Sequence, residues 1–375
     1  MSTRTRVLAS APSAGRLRLA RQAAGLRQVE LASRVEVSPA AVSQYEHGTH
    51  LPSPQVLQRI AFTLGFPVEF FTRATGPEVS ASPAFFRSLR STPQLERDRA
   101  SAHAWLLSRL ATAVERRVKL PPCDVRLDLE LSADASREEI EEAAGVARSA
   151  WEVPSGPVAN VVRLLETRGA IVSLFREGDP RLYAFSQWYG GRPVVVLCAD
   201  KEDRALSRYD AAHELAHLVL HAEPEAGNQR LEHQAQEFAA AFLMPAEGIR
   251  AELPERVDWS RLGELKRTWG VSLQALLFRA RTLGALTERS YRRAMSYVSG
   301  KGWRQNEPIP LGPTERPTLL PRAVELLKSR GVTREALAQE ASLPERFLSG
   351  VLDDPVSGPP PAPLSGRSAR LAAVG

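Results

Sequence analysis

Two histidines and a glutamate in the run Asp210-Ala-Ala-His-Glu-Leu-Ala-His-Leu-Val-Leu-His221 have the types and spacing of a metal-assisted hydrolase. His213 and His217 are four apart, so on a helix their imidazoles leave one face a turn apart and can converge on one ion. Two imidazoles so placed suit Zn²⁺. Glu214 is rotated by about 100° from His213, which aims its carboxylate beside the ion, at a water whose proton it can take. His221 sits about 12 Å along the axis from His213, too far to share the ion, and reads as a surface or outer-layer residue. The plain alternative for H-E-x-x-H alone is a helix with two solvated histidines.

A catalytic zinc site normally takes three protein ligands and leaves one position open. The run Leu231-Glu-His-Gln-Ala-Gln-Glu-Phe-Ala-Ala-Ala-Phe-Leu-Met-Pro245 offers the third. Glu232, Ala235, Ala239 and Phe242 share one helical face, and Pro245 marks where the helix stops. Small Ala235 and Ala239 allow close approach to a partner helix. If that partner carries His213, Glu232 reaches the metal. His233 and Glu237 are rivals on other faces.

Together, H-E-L-A-H-L-V-L-H and E-x-x-A-x-x-F-A-A-x-F-L-M-P resemble the ImmA/IrrE family of zinc-dependent peptidases. In that family the third ligand is the first Glu of the second motif, which here is Glu232. The resemblance extends over roughly residues 80 to 310. It implies zinc held by His213, His217 and Glu232, with Glu214 as general base. It also implies a protein substrate, since such activity in the family is associated with site-specific cutting of a repressor.

The elements that would position this site are legible around it. Glu138–Trp151 and Val158–Arg168 read as helices. Three strand signals follow at Ala170–Phe175, Tyr183–Trp188 and Pro193–Leu197, a small sheet feeding the His213 helix. The Tyr183–Trp188 run reads either as an edge to which a substrate peptide adds its backbone or as buried sheet. Asp210 either orients a ligand imidazole or begins the helix, with the cap favoured. Asp258–Trp269 and Ser272–Leu283 read as packing helices.

The chain has 375 residues, 43% of them hydrophobic and 25% charged, enough for two or three cores. Cys123 and Cys198 are its only cysteines and sit in unlike contexts, so the expectation is a reducing interior. No apolar run near 18 residues and no signal-like segment appears, which points to the cytoplasm and away from membranes.

Residues 1–75 hold nine Arg and no Lys against four acidic residues, a net of +5, which suggests a nucleic-acid partner. Leu17, Ala20 and Ala24 recur at helical spacing, Gly25 breaks the run, and Gln28–Val35 offers a second short helix. Ser38-Pro39 opens a third that stops at Gly48, and a fourth runs from about Pro54 to Leu64. Short helix, tight turn, short helix is a helix-turn-helix layout, whose second helix enters the major groove.

The sequence L-R-Q-V-E-L-A-S-R-V-E-V-S-P-A-A-V-S-Q-Y-E-H-G resembles the XRE or phage-repressor type of helix-turn-helix, over about residues 13–72. By position the DNA-contacting set is Gln28, Ser38, Pro39, Ala40, Ser43 and Gln44. Gln28 would meet phosphate, and Pro39, Ala40, Ser43 and Gln44 would face the bases. Only Gln44 offers a bidentate contact, to adenine. Double-stranded DNA is then the partner. This type of domain commonly reads two half-sites as a dimer, which leaves a homodimer open. The alternative is a protein-interaction domain of the same fold.

The predicted organisation is α+β and mostly helical. An all-α helix-turn-helix domain (1–75) is followed by a linker and connecting helix, Leu95–Val118 (76–120). A zincin-like peptidase domain comes next (121–300), with a small sheet and the H-E-x-x-H helix. A helical C-terminal region (301–356) and a disordered tail (357–375) complete the chain. Residues Gly331–Arg346 echo Gly25–Ala40, with Leu337-Ala338 beneath Leu31-Ala32. They read either as a second helix-turn-helix unit or as a plain helical cap. Two functions survive. One is a DNA-bound regulator that cuts a regulatory protein; the other is a non-catalytic regulator whose peptidase fold senses a metal or ligand. An intact Glu214 favours the first, while no transition-state donor such as a placed His or Tyr is legible.

Overall fold

The computed structural model describes residues 11–72, 93–127, 129, 131–175, 184–198, 203–221, 228–304 and 306–353, and the backbone of 85–86 and 372–373. The chain is α+β and mostly helical, and it divides into two compact units. One comprises residues 1–81, 92–120 and 319–375, the other 82–91 and 121–318. The linker expected around 75–83 lies outside the described residues, and so does the proline-rich part of the tail. Among the described residues no helix is long and apolar enough to cross a membrane.

The first unit begins with α1 (Ala14–Ala23), α2 (Gln28–Arg34), α3 (Pro39–His47), α4 (Pro54–Leu64) and α5 (Val68–Thr72). Ser38 Oγ accepts from the Ala41 N–H and Ser53 Oγ from the Val56 N–H, each with Pro in the first turn, which fixes where α3 and α4 start. Both end on glycines in the left-handed region, Gly48 (φ 72°) and Gly65 (φ 65°). Leu17, Leu31, Val42, Ile60, Leu64, Phe70 and Phe71 form the buried centre. The charge reading needs a correction here, because Arg16 and Arg21 face inward. Arg16 donates to the Phe70 carbonyl, and Arg21 makes a fork on Glu46 at 2.5 and 2.8 Å. Two of the nine arginines therefore serve the core rather than the outward field.

The connecting helix, α6 (Gln94–Glu115), is shorter than expected at its C-terminal end, because Val118–Lys119 turns extended and pairs with Ala372–Ala373. Ala100, Ala104, Leu107, Leu110, Ala111 and Val114 are buried, so α6 is a central support with apolar residues around much of its circumference.

The second unit contains β1 (Phe85–Phe86), α7 (Arg137–Ala150), α8 (Val161–Thr167), β2 (Ile171–Phe175), β3 (Ala184–Tyr189), β4 (Arg192–Cys198), α9 (Arg204–Leu220), α10 (Gln229–Leu243), α11 (Ala246–Ile249), α12 (Trp259–Trp269), α13 (Leu273–Thr282) and α14 (Glu288–Gly300). The sheet order is β1-β3-β4-β2, with β4 parallel to β2 and antiparallel to β3. The unbroken run Val194–Leu197 is buried throughout, as expected of a strand covered on both faces. Every residue of β3 is buried too, and the backbone of β1 pairs with Phe185 and Ser186. Of the two readings of this run, buried sheet is the one found.

Helix α9 packs on β3 and β4 and against α8 and α10. Asp203 caps it, accepting from Ala205 and Leu206 N–H at 2.8 and 3.1 Å. This overturns the cap role for Asp210, which is buried two turns inside the helix. Arg208, also on α9, pairs with buried Glu315 and donates to the Val158 carbonyl at 2.6 Å. Glu315 in turn accepts from the first N–H groups of α8, Val161 at 2.7 Å and Val162 at 3.1 Å. A buried carboxylate thus fastens α9 to the start of α8. Helix α10 approaches α9 through a small-residue layer in which Ala211, Ala212, Ala235 and Ala239 are all fully enclosed.

The chain returns to the first unit with α15 (Leu319–Ser329), α16 (Arg334–Ala341) and α17 (Glu345–Leu352). These repeat the backbone of α1, α2 and α3 at a constant offset of 306 residues (331 − 25, 342 − 36). Gly331 (φ 83°) stands for Gly25 (φ 65°), and Ser342 (φ 56°) for Glu36 (φ 55°). The Val332 N–H reaches the Leu327 carbonyl at 3.0 Å as Leu26 reaches Arg21 at 3.2 Å. Leu343 reaches Ala338 at 2.8 Å as Val37 reaches Ala32 at 3.1 Å. Buried Leu337, Ala338 and Leu348 take the places of Leu31, Ala32 and Val42. The C-terminal helices are therefore a second three-helix unit with helix-turn-helix geometry, and α1, α15 and α16 all pack on α6.

Candidate functional site

His213, His217 and Glu232 come together between α9 and α10. The Nε2 atoms of the two histidines lie 3.1 Å apart. Glu232 Oε2 is 3.3 Å from His213 Nε2, and Oε1 is 3.6 Å from His217 Nε2. One ligand atom from each residue thus lies within 4.8 Å of the other two, and together they can hold a metal ion. Both histidines are buried, whereas the Glu232 side chain keeps 25% of its surface, so the cluster opens toward solvent on the α10 side. The i, i+4 step on α9 supplies two of the atoms, and the first turn of α10 supplies the third.

The rivals for the third position are elsewhere. Glu237 takes Arg137 at 3.0 Å, and His233 is well exposed, with Nε2 3.8 Å from the same carboxylate. Both leave the face that carries Glu232.

Glu214 is fully buried beside the cluster, and its Oε2 accepts from the Ser186 hydroxyl at 2.7 Å. Ser186 comes from the middle of β3, so the sheet and not the helix fixes how this carboxylate points. His221 lies outside the three-residue cluster, but it is not a surface residue either. Its Nδ1 lies 2.9 Å from His217 Nδ1, on the side of that ring away from the ligand atom. His221 Nε2 meets Gln234 Oε1 at 3.1 Å, and the Gln234 amide donates to the Ser132 carbonyl at 2.7 Å. Burial pushes the His221 imidazole below its ordinary range, and the Gln234 hydrogen bond opposes this. The chain Ser132, Gln234, His221, His217 holds the His217 ring in orientation, as outer partners do for imidazoles at metal sites. Neither Ser186 nor Gln234 carried any sequence signal.

In the first unit, α3 presents Pro39, Ala40 and Gln44 exposed, with Ser43 partly so, while Val42 and Glu46 face inward. Ser38 is exposed at the helix start and its hydroxyl is engaged as the cap. Ser43 Oγ lies 3.4 Å from His47 Nδ1. Gln28 differs from the rest. Its amide donates to Glu46 Oε2 at 2.8 Å, joining the buried Arg21–Glu46 pair, so this side chain braces α2 against α3. Its place in the DNA-contacting set is then left to the start of α2 rather than to the amide.

The repeated unit carries no comparable face on α17. Glu345, Arg346, Ser349 and Gly350 stand where Pro39, Ala40, Ser43 and Gln44 stand on α3. Arg346 donates to the Leu64 carbonyl, and Arg334, in the place of Gln28, pairs with Asp353 at 2.6 Å. Arg346 is thus spent on α4 and Arg334 on a contact within the repeat.

Comparison with known families matches residues 14–70 to a helix-turn-helix domain and residues 170–281 to the IrrE N-terminal-like domain of the M78 peptidases. The second match spans β2 through most of α13 and includes both halves of the His-His-Glu cluster and Glu214. A comparison with curated proteins finds no match.

Proposed function

We propose that this chain, which joins a helix-turn-helix domain to an IrrE-like peptidase domain, is a DNA-binding transcription regulator that also acts as a zinc-dependent endopeptidase on a regulatory protein. The observation that carries this reading is the convergence of His213, His217 and Glu232 beside a glutamate oriented by Ser186. Ligand atoms at two corners of a tetrahedron with bonds of about 2.0–2.1 Å stand about 3.3 Å apart, and the 3.1 Å between the two Nε2 atoms, with a Glu232 oxygen 3.3 Å from His213 Nε2 and the other 3.6 Å from His217 Nε2, supports zinc on that ground.

A zinc ion in that cluster supplies Lewis acidity toward a peptide carbonyl and acidifies water beside it. His213 and His217 would hold it through Nε2, and the His221 contact keeps the His217 ring turned that way. Glu214 accepts the proton of the attacking water and passes it to the leaving amine, so the peptide C–N bond breaks and the electron pair leaves on nitrogen. The Ser186 hydrogen bond spares the carboxylate a search for its orientation. A site that only sensed metal would have no use for a buried carboxylate held in this way, which favours the enzyme over the non-catalytic sensor.

In the first unit, the exposed residues of α3 are the base-reading set, and Ser38 and the start of α2 with Gln28 sit where phosphate would pass. The protein works in the cytoplasm on double-stranded DNA, and its protein substrate is a repressor. The deciding experiment incubates the zinc-loaded full chain with helix-turn-helix proteins encoded beside it. One defined cut that a chelator prevents supports the assignment, and intact proteins throughout reject it.

A further inference from the structure

The second unit holds a concavity of about 470 Å³ that shares no residue with the His-His-Glu cluster and lies between the start of α12 and the outer face of α14. That volume is within the range of small-molecule sites, roughly 300–1,000 Å³. Arg256, Arg289 and Arg293 line it, and all three are exposed. No ion pair of these three occurs among the described residues, and two nearby carboxylates are otherwise engaged. Asp258 caps α12 by accepting from the Ser260 and Arg261 N–H groups, and Glu288 pairs with Arg281 and Arg292. Three guanidinium groups gathered on one concavity repel one another, and an anion placed among them relieves that repulsion.

The rest of the lining is Trp259 and Tyr297 together with Val257, Ser290 and Ala294. Trp259 stacks on Tyr297 with centroids 5.0 Å apart and planes 26° from parallel. Trp303 stands edge-on to both, at 5.3 and 5.5 Å, which fixes their tilt. Lys301 Nζ lies 5.7 Å from the Tyr297 ring centroid and adds a fourth cation beside the wall. Flat rings next to guanidinium forks suit a ligand with a planar ring at one end and phosphate oxygens at the other.

We propose that this concavity binds a phosphorylated nucleoside, with Arg256, Arg289 and Arg293 on the phosphates and the Trp259–Tyr297 wall against the base. Arginine forks match phosphate geometry two oxygens at a time, so three of them accommodate more than one phosphate group. The concavity is half open, and its volume of about 470 Å³ matches one nucleotide, which favours this small ligand over the long backbone of a nucleic acid.

Calorimetry on the full chain with ATP and with GTP, each saturated with Mg²⁺, tests the proposal, with adenosine and inorganic tripolyphosphate as part-ligands. At least one nucleotide should bind saturably and more tightly than either part-ligand. The double variant Arg289→Ala/Arg293→Ala should weaken that binding roughly 10- to 100-fold. Trp259→Leu should weaken the nucleotide but leave tripolyphosphate unchanged. Both arginines are exposed, so the double variant should melt like the parent, and that measurement separates lost binding from lost folding. The assignment is overturned if neither nucleotide binds, or if the double variant binds as the parent does. It is likewise overturned if tripolyphosphate binds as tightly as the nucleotides, since ring recognition is then absent. A double variant that instead loses affinity for random duplex DNA would assign the surface to nucleic acid and also reject the nucleotide.

Discussion

The Ser186 hydroxyl, on the central part of β3, donates a 2.7 Å hydrogen bond to Glu214 Oε2, on α9, with both residues fully buried. A hydrogen bond to a charged group in a buried setting contributes about 1.5–3 kcal/mol. Ser186→Ala should therefore lower kcat/KM for peptide cleavage by roughly ten- to a hundredfold while bound metal stays at the parental level. Ser186→Thr, which keeps the hydroxyl, should recover part of the loss. Equal activity in Ser186→Ala would remove Ser186 from the positioning of Glu214.

Glu214→Gln keeps size and polarity but cannot accept a proton. Cleavage should fall by about 10² to 10⁴, with zinc content and DNA affinity unchanged. In cells the controlled genes should then ignore their inducing signal although the protein is present and bound. Normal induction by this variant would make the zinc site a sensor or a structural clip.

Metal retention should distinguish the ligands from their support. His217→Ala removes a ligand atom and should reduce bound zinc, about one per chain in the parent, to a trace. His221→Leu leaves the ligands but removes the contact on His217 Nδ1. Partners of that kind typically contribute 10- to 100-fold in affinity, so competition with a chelator should find a loss of about that size. If His221→Leu retains zinc as the parent does, His217 is oriented by packing alone.

The pattern of what the sequence disclosed follows from distance along the chain. His213, His217 and Glu214 were legible because one helical turn fixes their mutual placement, and Glu232 because it shares a face with Ala235 and Ala239. Ser186 was illegible because it meets Glu214 across the sheet, and no spacing encodes the packing of β3 on α9. Asp210 has the residue type of a cap, but Asp203, seven residues earlier, already serves α9. The arginine count overstated the outward charge of the first unit, since Arg16 and Arg21 are buried by partners as remote as Phe70 and Glu46. Helix α14 carries little periodic signal, because its buried set is only Ala294 and Val298 on an Arg-rich segment. The echo of Gly25–Ala40 in Gly331–Arg346 was slight in residue identity but complete in turn geometry, because two left-handed positions and a few buried side chains suffice to define that backbone.

Stability of the first unit should depend on pH through His103. Its ring lies against Phe347 at 5.3 Å, closely surrounded although part of the residue reaches solvent. Burial, and secondarily the positive charge of Arg99, lower its pKa to about 4 from an ordinary 6.5. The unfolded chain then binds the proton more readily than the folded one between those values. The contribution is intact above pH 6.5 and is lost as pH falls from 6.5 toward 4. The melting temperature should drop across that window, and the drop should be smaller in His103→Leu. An identical slope in the variant would assign the acid sensitivity to other groups.

The last expectation concerns which helix-turn-helix unit reads DNA. Units of like backbone differ in what they expose. On α3, Gln44 is exposed and can make a bidentate contact worth about 1–3 kcal/mol of discrimination. On α17 the same place holds Gly350, and Arg346 is turned to the Leu64 carbonyl. Gln44→Ala should therefore lower affinity for the specific operator more than for random duplex, relaxing sequence preference. Gln28→Ala should act differently, because its amide braces Glu46; it should lower the melting temperature of the unit and weaken both DNAs together. Ser349→Ala should alter neither. Binding titrations on specific and random duplexes at several salt concentrations separate these cases, since phosphate contacts set the salt slope and base contacts set the ratio of the two affinities. Loss of preference in Ser349→Ala would mean that α17 also reads bases, and the reading unit would then be the pair rather than α3 alone.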